Sequence, residues 1–93
     1  MALTGIAYAR AKRRRQFFVA TSSVGPGSTN MVTASAVAMS NRLPILFVPG
    51  DTYANRMPDP VLQQVEHFNN PGITQNDAFK PVTKYFDLSL IHI

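Results

Sequence analysis

The sequence predicts an α/β fold built on a parallel sheet, and three observations carry that reading. Two short runs, residues 16–21 and 45–48, are rich in β-forming apolar side chains and lack the polar alternation of a half-solvated strand. A helical stretch separates them, so strand, helix and strand follow one another over about 30 residues, the span of a βαβ unit. Between the first run and the helix stands Gly25-Pro26-Gly27, a turn at the place where open α/β sheets hold their ligands, the carboxyl edge of the strands.

The elements follow in order. Ala2 to about Arg14 is expected to be a helix, because Leu3, Ile6, Ala7 and Arg10 fall at helical spacing and the basic residues close the last turn. Gln16 to Thr21 is the first strand and Ser22 to Ser28 the turn. Thr29 to about Asn41 is the second helix. Its Ala34, Ser35, Ala36, Ala38 and Ser40 make a wall of small side chains, suited to burial at a domain or subunit contact. Leu43-Pro44 ends it, since proline disfavours helical geometry in the residue before it. Ile45 to Val48 is the second strand, stopped by Pro49-Gly50-Asp51, and the crossover is expected to be right-handed. Thr52 to Thr74 carries three of the seven prolines, Pro58, Pro60 and Pro71, and reads as a long surface excursion with a helical turn near Val61–Val65. Gln75 to Phe79 starts a short helix, and Val82 to Asp87 is read as a third strand.

Composition sets outer limits. The 93 residues suit one small domain at most, and a chain of that size buries roughly 60–65% of its unfolded surface. No apolar run reaches the roughly 18–20 residues of a membrane span, and the N-terminus places its apolar stretch before its basic one, the reverse of a secretory signal. With no cysteine, disulfides and thiolate metal sites are excluded, and an intracellular, cytoplasmic location fits. The net charge of +4 comes from Arg10, Lys12, Arg13, Arg14 and Arg15, because the other four cations nearly balance the five acids. Cations at a helix C-terminus complement the backbone dipole. The competing reading, a small basic nucleic-acid-binding protein, requires affinity that falls steeply with salt.

The candidate sites each have two readings at this point. Gly25 and Gly27 permit positive φ and close approach of a ligand, and Ser28 or Thr29 can cap the helix that follows. The turn lacks the Gly-Lys-Ser/Thr ending of a Walker loop and the spacing of a dinucleotide fingerprint. It is a structural turn or a ligand contact. His67 beside Glu66 is an acid/base pair or a loop histidine holding backbone groups; neighbours in sequence on a helix point different ways. Asp51 follows a strand end, where functional acids and ordinary turn residues are both common. Neither a Ser-His-Asp set, nor paired carboxylates, nor a metal pair is legible.

Ala7-Tyr8-Ala9-Arg10, Lys12-Arg13-Arg14-Arg15-Gln16-Phe17 and Ala20-Thr21-Ser22-Ser23-Val24-Gly25-Pro26-Gly27-Ser28-Thr29-Asn30 together resemble thiamine-diphosphate enzymes of the acetohydroxyacid synthase superfamily. Narrower stretches, Asn41-Arg42-Leu43-Pro44, Pro49-Gly50-Asp51-Thr52 and above all Pro58-Asp59-Pro60-Val61-Leu62-Gln63-Gln64-Val65-Glu66-His67-Phe68, resemble its trihydroxycyclohexanedione hydrolase branch in myo-inositol catabolism. So does Asn76-Asp77-Ala78-Phe79-Lys80-Pro81-Val82-Thr83.

The resemblance implies that residues 1–87 are part of an N-terminal pyrimidine-binding domain, an incomplete three-layer parallel-sheet unit, and that 88–93 are a tail outside the family pattern. It implies thiamine diphosphate and Mg²⁺ in a longer enzyme, the diphosphate being held by another domain. It also implies a homodimer or higher assembly, a cyclic diketone derived from inositol as substrate, and no nucleic-acid or membrane partner. In that family a glutamate in an Asn-Glu-Gln pattern activates the cofactor, whose carbanion attacks a ring ketone before the C–C bond is cleaved and hydrolysed. That glutamate falls upstream of Met1, and Glu66 does not take its place, so no catalytic residue is assigned in this chain. Gly25, Pro26, Gly27 and Asn30 are the expected cofactor contacts, and Ser23, Asp51 and His67 the expected substrate contacts. By itself the chain is expected to be inactive, to bind no cofactor stably and to be unstable or aggregate, since strand edges and the small-residue helix face would be left uncovered. Another carboligase or decarboxylase of the superfamily is the alternative enzyme.

Overall fold

The computed structural model describes residues 1–51, 65 and 74–87. Helix α1 (Ala2–Ala11) leads to strand β1 (Val19–Ser22), helix α2 (Pro26–Asn41), strand β2 (Leu46–Pro49) and a 3₁₀ helix (Gln75–Val82). The strands pair in parallel, with Val19 opposite Leu46, Ala20 opposite Phe47, Thr21 opposite Val48 and Ser22 opposite Pro49. The α/β class and the βαβ order are those read from the sequence.

Side chains sort by strand parity. Ala20 is 2% exposed, and it joins Ile6, Met31, Ala34, Ala38 and Phe79 in one core, with Ile45 and Phe47 packed against it. Phe18, on the same side of the strand, stacks on Tyr8 of α1 at 4.1 Å between ring centroids. The opposite face carries Val19, Leu46 and Val48, each at least half exposed. Both runs were read as covered on two sides. Among the described residues the sheet is covered on one face only, which is how a three-layer unit looks with one layer missing.

Several boundaries differ from the reading of the sequence, each for a local reason. Helix α1 stops at Ala11 rather than Arg14, because Arg13 and Arg14 turn left-handed (φ 54° and 65°). The Arg13 N–H bonds the Arg10 carbonyl and the Arg14 N–H bonds that of Ala9, a Schellman closure made without glycine. Only Arg10 of the basic run lies in the last helical turn. Strand β1 begins three residues later than Gln16. Helix α2 begins at Pro26 rather than Thr29: proline's fixed φ suits the first helical position, and Gly25, at φ 76° and ψ −126°, makes the corner before it. Neither Ser28 nor Thr29 caps the helix; Thr29 Oγ1 donates back to the Gly25 carbonyl at 3.0 Å.

The small-residue wall is a correction of a different kind. Ala34, Ser35 and Ala38 are buried within this chain, while Ala36 and Ser40 are exposed. The wall admits the 3₁₀ helix at short range, where Ser35 Oγ donates to the Val82 carbonyl at 2.8 Å and Phe79 drops into the core against Phe47. The short helix expected from Gln75 is present as this 3₁₀ helix, but the third strand expected over 82–87 is not formed. Val82 closes the 3₁₀ helix and residues 83–87 run without a sheet partner. Pro81 removes a ladder donor there, and Thr83 Oγ1 bonds back to the Phe79 carbonyl. The helical turn expected near Val61–Val65 lies outside the described residues apart from Val65.

Candidate functional site

In a parallel pair both strands end at the same edge, and here that brings two turns together. Residues 23–25 leave β1, and Gly50-Asp51 leave β2 beside them. The Gly50 N–H donates to the Ser22 carbonyl at 2.9 Å, extending the ladder by one bond. The approach is close: a Cβ at Gly50 would lie 3.2 Å from the Ser22 carbonyl oxygen and 3.4 Å from the Val24 nitrogen, both backbone atoms. Glycine at position 50 therefore lets the two turns touch, and glycine at 25 supplies a conformation that an L side chain rarely adopts.

The start of α2 faces this edge without a side-chain cap. Pro26 has no N–H and the Thr29 N–H bonds the Gly25 carbonyl at 2.8 Å. Among the described residues the N–H groups of Gly27 and Ser28 take no backbone partner, and of the two residues only Gly27 is accessible, Ser28 being fully buried. Pro26 and Asn30 are exposed, Gly27 is half-buried and Gly25 is buried. Ser23 is exposed next to them. Asp51 is also exposed, and both its carboxylate oxygens accept from Thr74 Oγ1, at 2.9 and 3.1 Å. The structure thus gathers six of the seven expected contacts, Ser23, Gly25, Pro26, Gly27, Asn30 and Asp51, at one sheet edge. His67 lies outside the described residues.

Polar residues that the sequence did not single out hold this edge together. Asn76, 3% exposed, donates from Nδ2 to the Gly50 carbonyl at 2.9 Å and accepts on Oδ1 from the fully buried Ser28 hydroxyl. Its own N–H is held by Thr74 Oγ1 at 3.3 Å. Next to it, Gln75 has a buried carboxamide with no hydrogen-bond partner for either Nε2 or Oε1. The one available signal for these residues was the Thr-Gln-Asn-Asp string ahead of an apolar residue, which marks a helix start and says nothing about the other end of the contact.

Half-buried Gly27, the exposed ring of Pro26 and the close-packed glycine corner lie together at this edge. Among the described residues no group of three or more His, Asp or Glu is placed to hold a metal ion. None of the described helices is long and apolar enough to cross a membrane.

Comparison with known proteins decides which family this is. The sequence pattern of the thiamine pyrophosphate enzyme N-terminal TPP binding domain matches residues 1–77. The chain belongs to the thiamine pyrophosphate enzymes. Within that family, the 3D-(3,5/4)-trihydroxycyclohexane-1,2-dione hydrolase of Clostridium tetani is 58% identical over 87 residues, which are 94% of this chain and 14% of that protein. The proteins of the same name from Geobacillus thermodenitrificans and Listeria monocytogenes are 55% and 52% identical, over the same shares. The chain therefore spans about one seventh of the length of these family members. No solved structure matches it significantly.

Proposed function

We propose that this chain is the pyrimidine-side portion of a thiamine-diphosphate-dependent C–C hydrolase that opens trihydroxycyclohexane-1,2-dione. The observation that carries the reading is the identity of 52–58% over 94% of the chain to three hydrolases of that name. Residues 1–87 are the partial domain and 88–93 a tail outside the family pattern.

Thiamine diphosphate, when bound, supplies a thiazolium carbon that acts as the nucleophile towards a ring ketone. The work of this chain is to seat the pyrimidine end. The N–H of half-buried Gly27 would donate to a ring acceptor. Pro26 and the glycine corner give the ring an apolar, close surface, and the Asn30 carboxamide lies within the same first turn of α2. Ser23 and Asp51, on the two neighbouring turns, reach towards the substrate; Asp51, steadied by Thr74, suits a hydroxyl-bearing ring because a carboxylate accepts from alcohols. His67 is assigned to the substrate as well. The activating glutamate, the Mg²⁺-held diphosphate and the second subunit belong to the rest of a cytoplasmic homo-oligomer, so the 93 residues alone are inactive.

The test is a chimera in which this chain replaces the matching 87 residues of the Clostridium tetani enzyme. With thiamine diphosphate and Mg²⁺ it should hydrolyse the cyclic dione to an open-chain acid. Turnover of 2-ketoacids without action on the dione would assign the chain to a carboligase or decarboxylase instead. Sequencing the DNA flanking the reading frame adds an independent check, since an in-frame Asn-Glu-Gln upstream of Met1 is expected.

A further inference from the structure

We infer that Asn76 is the positioning residue of the glycine turn, acting through Ser28 and Gly50. The inference rests on the reading of this edge as the pyrimidine seat, and goes beyond it by naming what holds the seat in shape.

The turn between β1 and α2 is closed by two lines of hydrogen bonds that meet at Gly50. From its first end, the Ser22 carbonyl accepts the Gly50 N–H at 2.9 Å. From its last end, the Ser28 hydroxyl donates to Asn76 Oδ1, and Asn76 Nδ2 donates to the Gly50 carbonyl at 2.9 Å. Ser28 sits in the first turn of α2, directly after the glycine corner. The polarity is fixed rather than free. The Gly50 carbonyl can only accept, so the amide nitrogen of Asn76 must face it and the amide oxygen must face Ser28, whose hydroxyl then has to donate. The Asn76 backbone is anchored in turn, its N–H on Thr74 Oγ1 at 3.3 Å.

An asparagine with both ends engaged and 3% exposure ties three separate segments: residues 22–28, the exit of β2 and the start of the 3₁₀ helix. A buried network of this kind is stiff when satisfied and costly when broken, because each partner left behind is a desolvated polar group. That stiffness fixes Ser28 and, with it, the neighbouring half-buried Gly27 whose N–H faces the seat. Asn76 touches no ligand itself.

The test uses the chimera described above, with thiamine diphosphate and inorganic pyrophosphate as separate probes. Pyrophosphate is expected to engage only the diphosphate-holding domain, so it reports the integrity of that part of the chimera. Asn76→Asp, which sets a second acceptor against the Gly50 carbonyl, and Ser28→Ala, which removes the donor, should each weaken thiamine diphosphate binding about tenfold and leave pyrophosphate binding unchanged. The KM for the dione should move less than the Kd for thiamine diphosphate. The double variant should be no worse than about twofold beyond the weaker single one, because both break one line of bonds. Should Asn76→Asp fail to fold, Ser28→Ala alone decides. Equal loss of both probes would overturn the inference by making the role structural, as would unchanged thiamine diphosphate affinity in either folded variant. A parent chimera that binds pyrophosphate and not thiamine diphosphate would instead overturn the reading of the edge, and this inference with it.

Discussion

Replacing Val19, Leu46 and Val48 together by threonine is expected to convert the 93-residue chain from an aggregating species into a predominantly monomeric one. The three side chains are 57%, 50% and 51% exposed on the bare face of the sheet. Fully burying a Val or Leu is worth roughly 1.5–3 kcal/mol, so about half of that, near 1 kcal/mol each, is still available to whatever covers them. Phe17, 53% exposed and of the same parity as Val19, extends the strip and brings the sum to about 4 kcal/mol. That approaches the lower end of the roughly 5–15 kcal/mol that holds a whole domain together. A second copy offering the same face can collect much of it, and the open strand edges favour such pairing. Threonine keeps the β preference of the strands while adding a hydroxyl to each exposed position. The assay is size-exclusion chromatography with light scattering, accompanied by dye binding to exposed apolar surface and far-ultraviolet circular dichroism. The unsubstituted chain should elute as aggregate and bind dye. The triple variant should scatter as a 10.2 kDa-class monomer with the helical signal of α1 and α2 retained. A sharp, reversible thermal transition of the unsubstituted chain as a monomer would refute the reasoning, as would a triple variant that aggregates equally.

Three further outcomes are expected. Gly25→Ala forces an L side chain to φ 76° and ψ −126°, a cost of about 2 kcal/mol, and thiamine diphosphate titration of the chimera should show binding weakened roughly thirtyfold. Ser35→Ala frees the Val82 carbonyl, loosening the 3₁₀ helix by about 1 kcal/mol, and limited proteolysis should nick the triple-threonine chain faster near Val82. The basic run, exposed at the helix end, should bind a short DNA duplex only weakly at physiological salt; tight anisotropy-measured binding there would revive the nucleic-acid reading.

Helices and strands were legible in proportion to how local their causes are. The α2 crossover announced itself through Gly25-Pro26-Gly27 and Leu43-Pro44, residues whose backbone limits act on themselves and their neighbours. The end of α1 did not, because three arginines in a row look helical until two of them turn left-handed. The third strand was misread for a related reason: Val82 to Asp87 has strand composition, yet a strand exists only where a partner lies, and Val82 is instead held from the side by Ser35. At the site, residues next to the turns could be named from sequence because the edge of a parallel sheet collects them. Asn76 could not, since its meaning lies in the Ser28 and Gly50 atoms that meet it, 48 and 26 residues away.

The parallel pairing also sets an order for folding. Thr21 and Val48, joined by a 2.7 Å bond from hydroxyl to carbonyl, are 27 residues apart in the chain. No hairpin can nucleate such a pair, and closing so long a coil is entropically slow. Helix α2, 16 residues and about 24 Å long, shortens the problem when it forms first, because it returns the chain to the side from which β1 began. Helix-weakening changes on its exposed face should therefore slow folding, whereas loss of the Asn76 bonds, made only once both strands are in place, should chiefly speed unfolding.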